Sequence, residues 1–376
     1  MARIAILGAG VMGTALTYPL ADNGHDVRLI GTHLDHAIIA ACRASGVHPG
    51  LNAAPPPNIR CFTVDELAEA LVDVDVVALG VNSRGVRWAG QILAPHLRPG
   101  QTVIMVTKGL AAGNAGDLRI LPDLLADELP ASLRGTVPIA AIGGPSIASE
   151  LAARRPTCVV FTCRDTAMLD YLAGVFATDY YHIWTSTDMI GVEVCVALKN
   201  VYALGVGLAV GLLEAEGDTP QEASAGATMH NFAAALFAQG LLETAQLVRL
   251  LGGDIETVFS LPGAGDLYVT CQGGRNSRMG CLLGRGLSPE AATHALAGET
   301  VEGVDAVTAV APAVEKLIER GVLEPDALPL LRRIYGVAVE GRTFESSFDH
   351  FFWPLVCVTP SSVPAPGVAR SRRRGL

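Results

Sequence analysis

The stretch Arg3-Ile-Ala-Ile-Leu-Gly-Ala-Gly-Val-Met-Gly-Thr-Ala-Leu16 decides how the rest of the chain is read. A short β-forming run, Arg3 to Leu7, passes directly into Gly8-Ala9-Gly10-Val11-Met12-Gly13 and then into a helix-compatible segment. In such a strand–turn–helix unit the first glycine permits the tight turn. The second lets a pyrophosphate approach the backbone, and the third lets helix and strand pack closely. Phosphate charge would sit on the helix N-terminus. A GxGxxG is weak evidence alone and also describes a plain tight turn. At the start of a chain that goes on alternating strands and helices it is strong, so Gly8, Gly10 and Gly13 are candidate dinucleotide contacts. The same N-terminus superficially resembles a signal peptide, but charged residues follow soon after and the glycine spacing explains it better.

Working outward, the apolar runs 26–30, 74–80, 102–107, 137–143 and 158–162 read as further strands covered on both faces. Helix-compatible segments lie between them at 12–22, 34–45, 65–72, 84–94 and 117–128. This is the α/β pattern of a Rossmann-like, doubly wound, mostly parallel sheet. After about residue 188 the strands stop. Helical patterns follow around 190–215, 222–251, 254–260, 276–284, 288–297 and 303–320. The expected organisation is a dinucleotide-binding domain at 1–188, an all-helical substrate domain at 189–350, and a disordered Pro/Ser/Arg tail at 351–376. At 376 residues the chain has room for two cores.

Hydrophobic residues make up 50% of the chain, and the net charge is −10. That balance excludes nucleic acid as the main partner but leaves room for a small anionic substrate held by a few local cations. Eight cysteines without a CxxC pair suit free thiols in a reducing cytoplasm. No metal-ligand spacing is present. The run from Val194 to Leu213 approaches membrane-spanning length, yet Lys199, Asn200 and its glycines favour a buried helix over stable membrane insertion.

A dinucleotide site usually places an acidic residue at the end of the second strand. Here that strand ends Leu29-Ile30-Gly31-Thr32-His33, with neither carboxylate nor Arg. Asp35 arrives slightly late and suits a helix cap. Thr32 and His33 are either acceptors of a 2′-phosphate or plain loop, so NAD or NADP is left open. Thr107-Lys108-Gly109 and Gly143-Gly144-Pro145-Ser146 follow strands at the carboxyl edge, where ligands bind in such sheets. A third group, Gly263 to Arg278, contains Asp266 and a Gly-rich loop with Gly274-Arg275-Asn276 just before a helix, which suits a phosphate or is a surface loop with a helix cap.

Of the 27 basic residues only Lys108, Lys199 and Lys316 are lysines. Arg keeps its proton in proteins, whereas a partly buried Lys can be tuned toward neutral pH. Lys199, inside the apolar run Gly191–Gly207, is therefore either an acid/base group or a lysine snorkelling out of a buried helix.

These residues resemble the bacterial type of the NAD(P)-dependent glycerol-3-phosphate dehydrogenase family. The resemblance runs from residue 3 to about 340. It rests on GAGVMGTAL, PPPNI (55–59), VTKGL (106–110), GGPSIASE (143–150), ALKNVYALGVG (197–207), GAGDLYVTC with GGRN (263–276) and VEGV (301–304). It implies Lys199 as catalytic acid/base, with Lys108 and Asp266 beside it. Gly144, Ser146, Gly274, Arg275 and Asn276 would complete the glycerol-phosphate site. Val11, Met12, Ala148 and Glu302 would join the glycines at the dinucleotide, with Lys108 and Arg275 reaching it too, while His33 stays a dinucleotide candidate on its place after the second strand alone. It further implies interconversion of sn-glycerol 3-phosphate and dihydroxyacetone phosphate, a role in phospholipid synthesis, and a cytoplasmic homodimer. Three departures stand out: Val11-Met12 where relatives often carry Ser-Trp or Ser-Phe, no aromatic-plus-Arg element after the second strand, and Gln239 where an Arg is usual. The alternatives are a dehydrogenase for another phosphorylated ketone or β-hydroxy acid, and a catalytically dead dinucleotide sensor.

Overall fold

The structure is a computed structural model describing residues 1–113, 116–215, 229–296 and 299–344. The expected tail at 351–376, residues 222–228 of the expected helix 222–251, and residue 297 of the segment 288–297 lie outside the described residues.

The strands are β1 (Arg3–Leu7), β2 (Asp26–Ile30), β3 (Arg60–Phe62), β4 (Val76–Leu79), β5 (Thr102–Met105), β6 (Leu110–Ala112), β7 (Leu118–Ile120), β8 (Ile139–Gly143), β9 (Thr157–Cys163) and β10 (Tyr181–Ser186). Eight of them form one sheet in the order β10-β9-β8-β5-β4-β1-β2-β3. All its pairs are parallel except β8–β9. Successive side chains of a strand face opposite ways. Ile4 and Ile6 enter one apolar layer with Val27, Val76 and Ile104, while Ala5 and Leu7 enter the other with Val77, Leu79 and Val103. Because both faces are covered, neither set can be polar, and the strands read as unbroken apolar runs. The doubly wound, mostly parallel sheet expected from the sequence is present. The order of successive strands reverses at β1, with β2 and β3 on one side and β4, β5 and β8 on the other, and in such sheets ligands bind in a crevice at that switch point.

Three features escape a pattern reading. β3 is three residues long, and β10 lies at the sheet edge with only Tyr181 buried. The expected helix 117–128 is corrected at its start: Leu118–Ile120 pairs with β6 as an antiparallel hairpin, and the helix begins at Leu121 with Pro122 in its first turn.

From Met189 onward every described element is helical. The helix Met189–Ala215 is long and apolar enough to cross a membrane, but most of it is buried among the other helices. Its glycines have a packing reason. A Cβ at Gly207 would lie 2.3 Å from the Ser277 carbonyl oxygen, and one at Gly211 2.1 Å from that of Cys281. Reciprocally, Gly280 and Gly284 of the helix Arg275–Gly284 press on the carbonyls of Leu204 and Leu208. Four glycines at helical spacing thus let two backbones touch, which fixes where Lys199 and Arg275 sit relative to each other.

Candidate active site

The glycine motif does what its spacing demands. Gly8 has φ +114°, and a Cβ there would strike the backbone of Gly80 at 2.7 Å, on the loop after β4. A Cβ at Gly13 would lie 2.1 Å from the Gly8 carbonyl oxygen. Gly10 is the opposite case, with no neighbour within 4 Å of the Cβ position. One glycine is thus required by the turn, one by packing, and one leaves room at the mouth of the crevice. Val11 and Met12 begin the helix whose first-turn N–H groups lack intrahelical acceptors. These features fit a pyrophosphate. The Ser146 hydroxyl adds a second sign of a ligand, being buried with no partner in the structure.

Gly144, with φ +105°, stands at the carboxyl end of β8 beside Ser146, and Ala148 opens the short helix Ala148–Ala152. His33 packs edge-on against Trp88, the ring centroids 5.0 Å apart. Asp35 occupies the cap position of the helix His36–Ser45, but its carboxylate does not cap it. Instead Oδ2 accepts hydrogen bonds from Thr32 N and Oγ1, both at 2.8 Å, and from Ala9 N at 3.2 Å. The helix-cap expectation for this side chain is therefore corrected.

The other wall is made of side chains. Lys108 comes from the turn after β5, which the Thr107 hydroxyl ties to the Val81 carbonyl at 2.8 Å. Lys199 projects from the middle of the helix Met189–Ala215. Asp266 opens the helix Asp266–Cys271, preceded by the wide helical turn Leu261–Gly265, so this stretch is helical where the sequence suggested a loop. Lys108 Nζ donates to Asp266 Oδ2 at 2.8 Å, and Lys199 Nζ donates to Oδ1. Asp266 is fully buried, and the lysine side chains are 21% and 10% exposed. Two ammonium groups thus share one carboxylate.

Their electrostatics diverge. Burial pulls the Lys199 pKa down to about 8, with Asp266 opposing the shift and the Lys108 charge reinforcing it. For Lys108 burial also works against the charge, but Asp266 outweighs it and the pKa stands above the ordinary lysine value. Of the two lysines, Lys199 is therefore the one able to exchange a proton near neutral pH.

Arg275 and Asn276 start the helix Arg275–Gly284, whose cap is Gly274 at φ +113°. Nothing lies within 4 Å of a Cβ at Gly273 or Gly274. Arg275 Nη2 donates to Glu302 Oε1 at 2.5 Å. Asn276 is buried and holds a junction: its Nδ2 donates to Asn200 Oδ1 at 2.9 Å, and its Oδ1 accepts from Gly303 N at 2.8 Å. A cavity of about 480 Å³ adjoins Lys108 and is bordered also by Leu121, Ala197, Asn200, Glu302 and Asp305. Lys108, Lys199 and Asp266 are therefore in direct contact, and Arg275 and Glu302 form a pair. His33 follows β2 and Ala148 follows β8, both at the carboxyl edge of the sheet.

Pattern reading missed three residues. Glu193 is fully buried, and neither carboxyl oxygen has a hydrogen-bond partner. Burial pushes its pKa up to about 8, with Lys108 opposing and Asp123 reinforcing. Its signal was an acid inside the apolar run Gly191–Gly207. His48 is buried with Nδ1 accepting from Gly50 N and Leu51 N, which leaves the proton on Nε2, 2.8 Å from the Ala9 carbonyl. Glu243 accepts from Tyr202 Oη, Gln239 Nε2, Leu330 N and Leu331 N. The departure at Gln239 thus belongs to an interior scaffold.

Residues 3–169 match the NAD-dependent glycerol-3-phosphate dehydrogenase N-terminus, and residues 188–349 match the C-terminus of the same family. The chain is 35% identical over 342 residues to the NADP(+)-dependent glycerol-3-phosphate dehydrogenase of Archaeoglobus fulgidus, covering 91% of this chain and 96% of that one. It is 36% identical over 340 residues to the glycerol-3-phosphate dehydrogenase [NAD(P)+] of Symbiobacterium thermophilum, covering 90% of each. The crystal structure of glycerol-3-phosphate dehydrogenase from Coxiella burnetii superposes with a TM-score of 0.75 at 30% identity, covering 91% of this chain and 95% of that one. With motif order, fold and cleft geometry in agreement, the chain belongs to the NAD-dependent glycerol-3-phosphate dehydrogenase family.

Proposed function

We propose that this chain interconverts sn-glycerol 3-phosphate and dihydroxyacetone phosphate with NAD(H) or NADP(H). The observation that carries the reading is the buried Lys108–Asp266–Lys199 cluster beside a glycine-built crevice. Residues 1–188 serve the dinucleotide and 189–350 the substrate. Gly8, Gly10, Val11, Met12, Gly13 and Ala148 line the dinucleotide side, and Glu302 reaches it from the helical half.

When bound, the dinucleotide supplies the hydride that C2 of the ketone accepts. The Lys199 ammonium stands ready to stabilise the developing alkoxide and give it a proton, leaving a neutral amine. In the oxidative direction the same amine takes the C2 hydroxyl proton. Asp266 fixes Lys199 in position, and Lys108 holds the other carboxylate oxygen while keeping a permanent charge. Gly144 and the Ser146 hydroxyl face the substrate from β8. The phosphate is held by Arg275, the amides after Gly274, and the remaining Asn276 N–H, so that binding energy far from C2 aligns the reacting carbon. Arg275 shares its guanidinium with Glu302, and ligand binding has to compete with or widen that pair.

We place the enzyme in the cytoplasm, where the seven free thiols among the described residues would stay reduced. Its glycerol phosphate would feed phospholipid synthesis. Exposed apolar side chains such as Leu242, Phe259 and Val322 support a homodimer. The test is the fall in reduced-nicotinamide absorbance with dihydroxyacetone phosphate, NADH and NADPH being run in parallel and Lys199→Ala as control. Oxidation abolished in the variant supports the reading. Binding of dinucleotide without oxidation in the wild type overturns it in favour of a sensor.

A further inference from the structure

The residue between the first two glycines, Ala9, is held on both sides by side chains that the motif does not contain. Its carbonyl accepts from His48 Nε2 at 2.8 Å, and its N–H donates to Asp35 Oδ2 at 3.2 Å. Asp35 reaches it because the chain folds back at the end of β2: Asp35 N donates to the Thr32 carbonyl at 3.0 Å, closing a turn over Gly31. That turn needs a bare Gly31, where a Cβ would meet Ile39 Cγ1 at 2.5 Å and Asp35 Cβ at 3.1 Å. The second strand thus delivers a carboxylate to the glycine loop after all, five residues past its last residue Ile30.

In this class of crevice the adenosine ribose lies between the glycine loop and the end of the second strand, where a carboxylate accepts from the ribose hydroxyls and an Arg accommodates a 2′-phosphate. We propose that Asp35 is the ribose-reading carboxylate of this chain and makes the site favour NAD(H) over NADP(H); the inference rests on the dinucleotide reading above. Three donors already converge on Oδ2, whereas Oδ1 has no partner in the structure and stays available to a ribose hydroxyl. A 2′-phosphate would bring roughly two negative charges beside it. Among the described residues, the side chains that could compensate it are already engaged. The Thr32 hydroxyl donates to Asp35 itself, and His33 packs on Trp88. Arg43 is bound to the Cys61 carbonyl and Glu66, and Arg84 to Asp305. The two residues that sequence reading held open for a 2′-phosphate are therefore already engaged, one of them by the carboxylate that repels it.

The test is direct titration of the full chain with NADH and NADPH, read by nicotinamide fluorescence in the absence of substrate. NADH should bind at least tenfold more tightly. Asp35→Asn keeps an oxygen for Ala9 N and Thr32 but removes the charge, and should narrow that ratio several-fold by strengthening NADPH. Displacement of NADH from the unaltered chain by adenosine 5′-phosphate, against adenosine 2′,5′-bisphosphate, reads the same preference without any variant; the monophosphate should win. Equal or tighter NADPH binding in the wild type, or a ratio untouched by Asp35→Asn, overturns the inference alone. A chain that binds neither dinucleotide overturns the function proposed above.

Discussion

The two walls of the cleft are built from different materials. One is backbone, laid down within residues 8–13, and its working parts are the absence of side chains. The other is three charged side chains, Lys108, Lys199 and Asp266, drawn from a strand end, a mid-helix position and a helix start. The first wall is open to solvent at Gly10, while the second is centred on a carboxylate with no exposure at all. The difference teaches where each tolerates change. The backbone wall depends on volume, position by position. The side-chain wall depends on charge, and its members act as one unit because two ammonium groups balance on one carboxylate.

The sharpest way to break the comparison is Lys199→Arg, which keeps a positive charge and removes the exchangeable proton. Turnover should fall by about 10²- to 10⁴-fold, the usual contribution of a positioned acid or base. Titration should show dinucleotide affinity little changed; steady-state rates near wild type would mean that charge alone suffices. Next in size, Arg275→Ala should raise the KM for the phosphorylated substrate by about 10- to 100-fold, as expected for loss of a charged hydrogen bond. A KM that stays put would move the phosphate elsewhere.

The backbone wall makes a paired prediction. Gly10→Ala adds a methyl where nothing stands, so the melting temperature should hold while dinucleotide affinity drops about tenfold, or about 1.4 kcal/mol. Gly13→Ala forces a methyl against the Gly8 carbonyl and should lower stability by about 1–3 kcal/mol. Equal effects of the two on stability would show that the motif is a packing device only. The smallest effect belongs to Glu193→Gln. No hydrogen bond is lost, so stability should not fall, while turnover should change several-fold only above about pH 8, where the ionised Glu193 acts on Lys108. Rescue by Glu193→Asp would assign the effect to the carboxyl.

The contrast also explains what the sequence could say. The β1 glycine loop was legible because its parts are contiguous and each has its own steric reason. The unbroken apolar strands were legible because helices cover both faces of the sheet. Lys199 stood out through chemistry, as a rare lysine in an apolar run, but its partners lie 67 residues away at Asp266 and, through that carboxylate, at Lys108. No periodicity reports such a meeting. Asp35 was misjudged because its role depends on a turn that only Gly31 permits. Glu193 passed unnoticed because an isolated acid in a core helix has no pattern, only a missing partner. The helix Asp266–Cys271 was hidden by the glycines before it, which read as loop.

The central claim is that Lys199 gives and takes the proton, with its pKa lowered by burial. The measurement that tests it most directly is the pH dependence of kcat in both directions with saturating substrate and dinucleotide. Ketone reduction requires the ammonium, so its rate should hold below about 8 and fall as pH rises through that value. Alcohol oxidation requires the amine, so its rate should rise through the same range. Opposed limbs meeting near 8, absent from the residual activity of Lys199→Arg, are the predicted result. Parallel or flat profiles through that range would contradict the account and place the proton on another group.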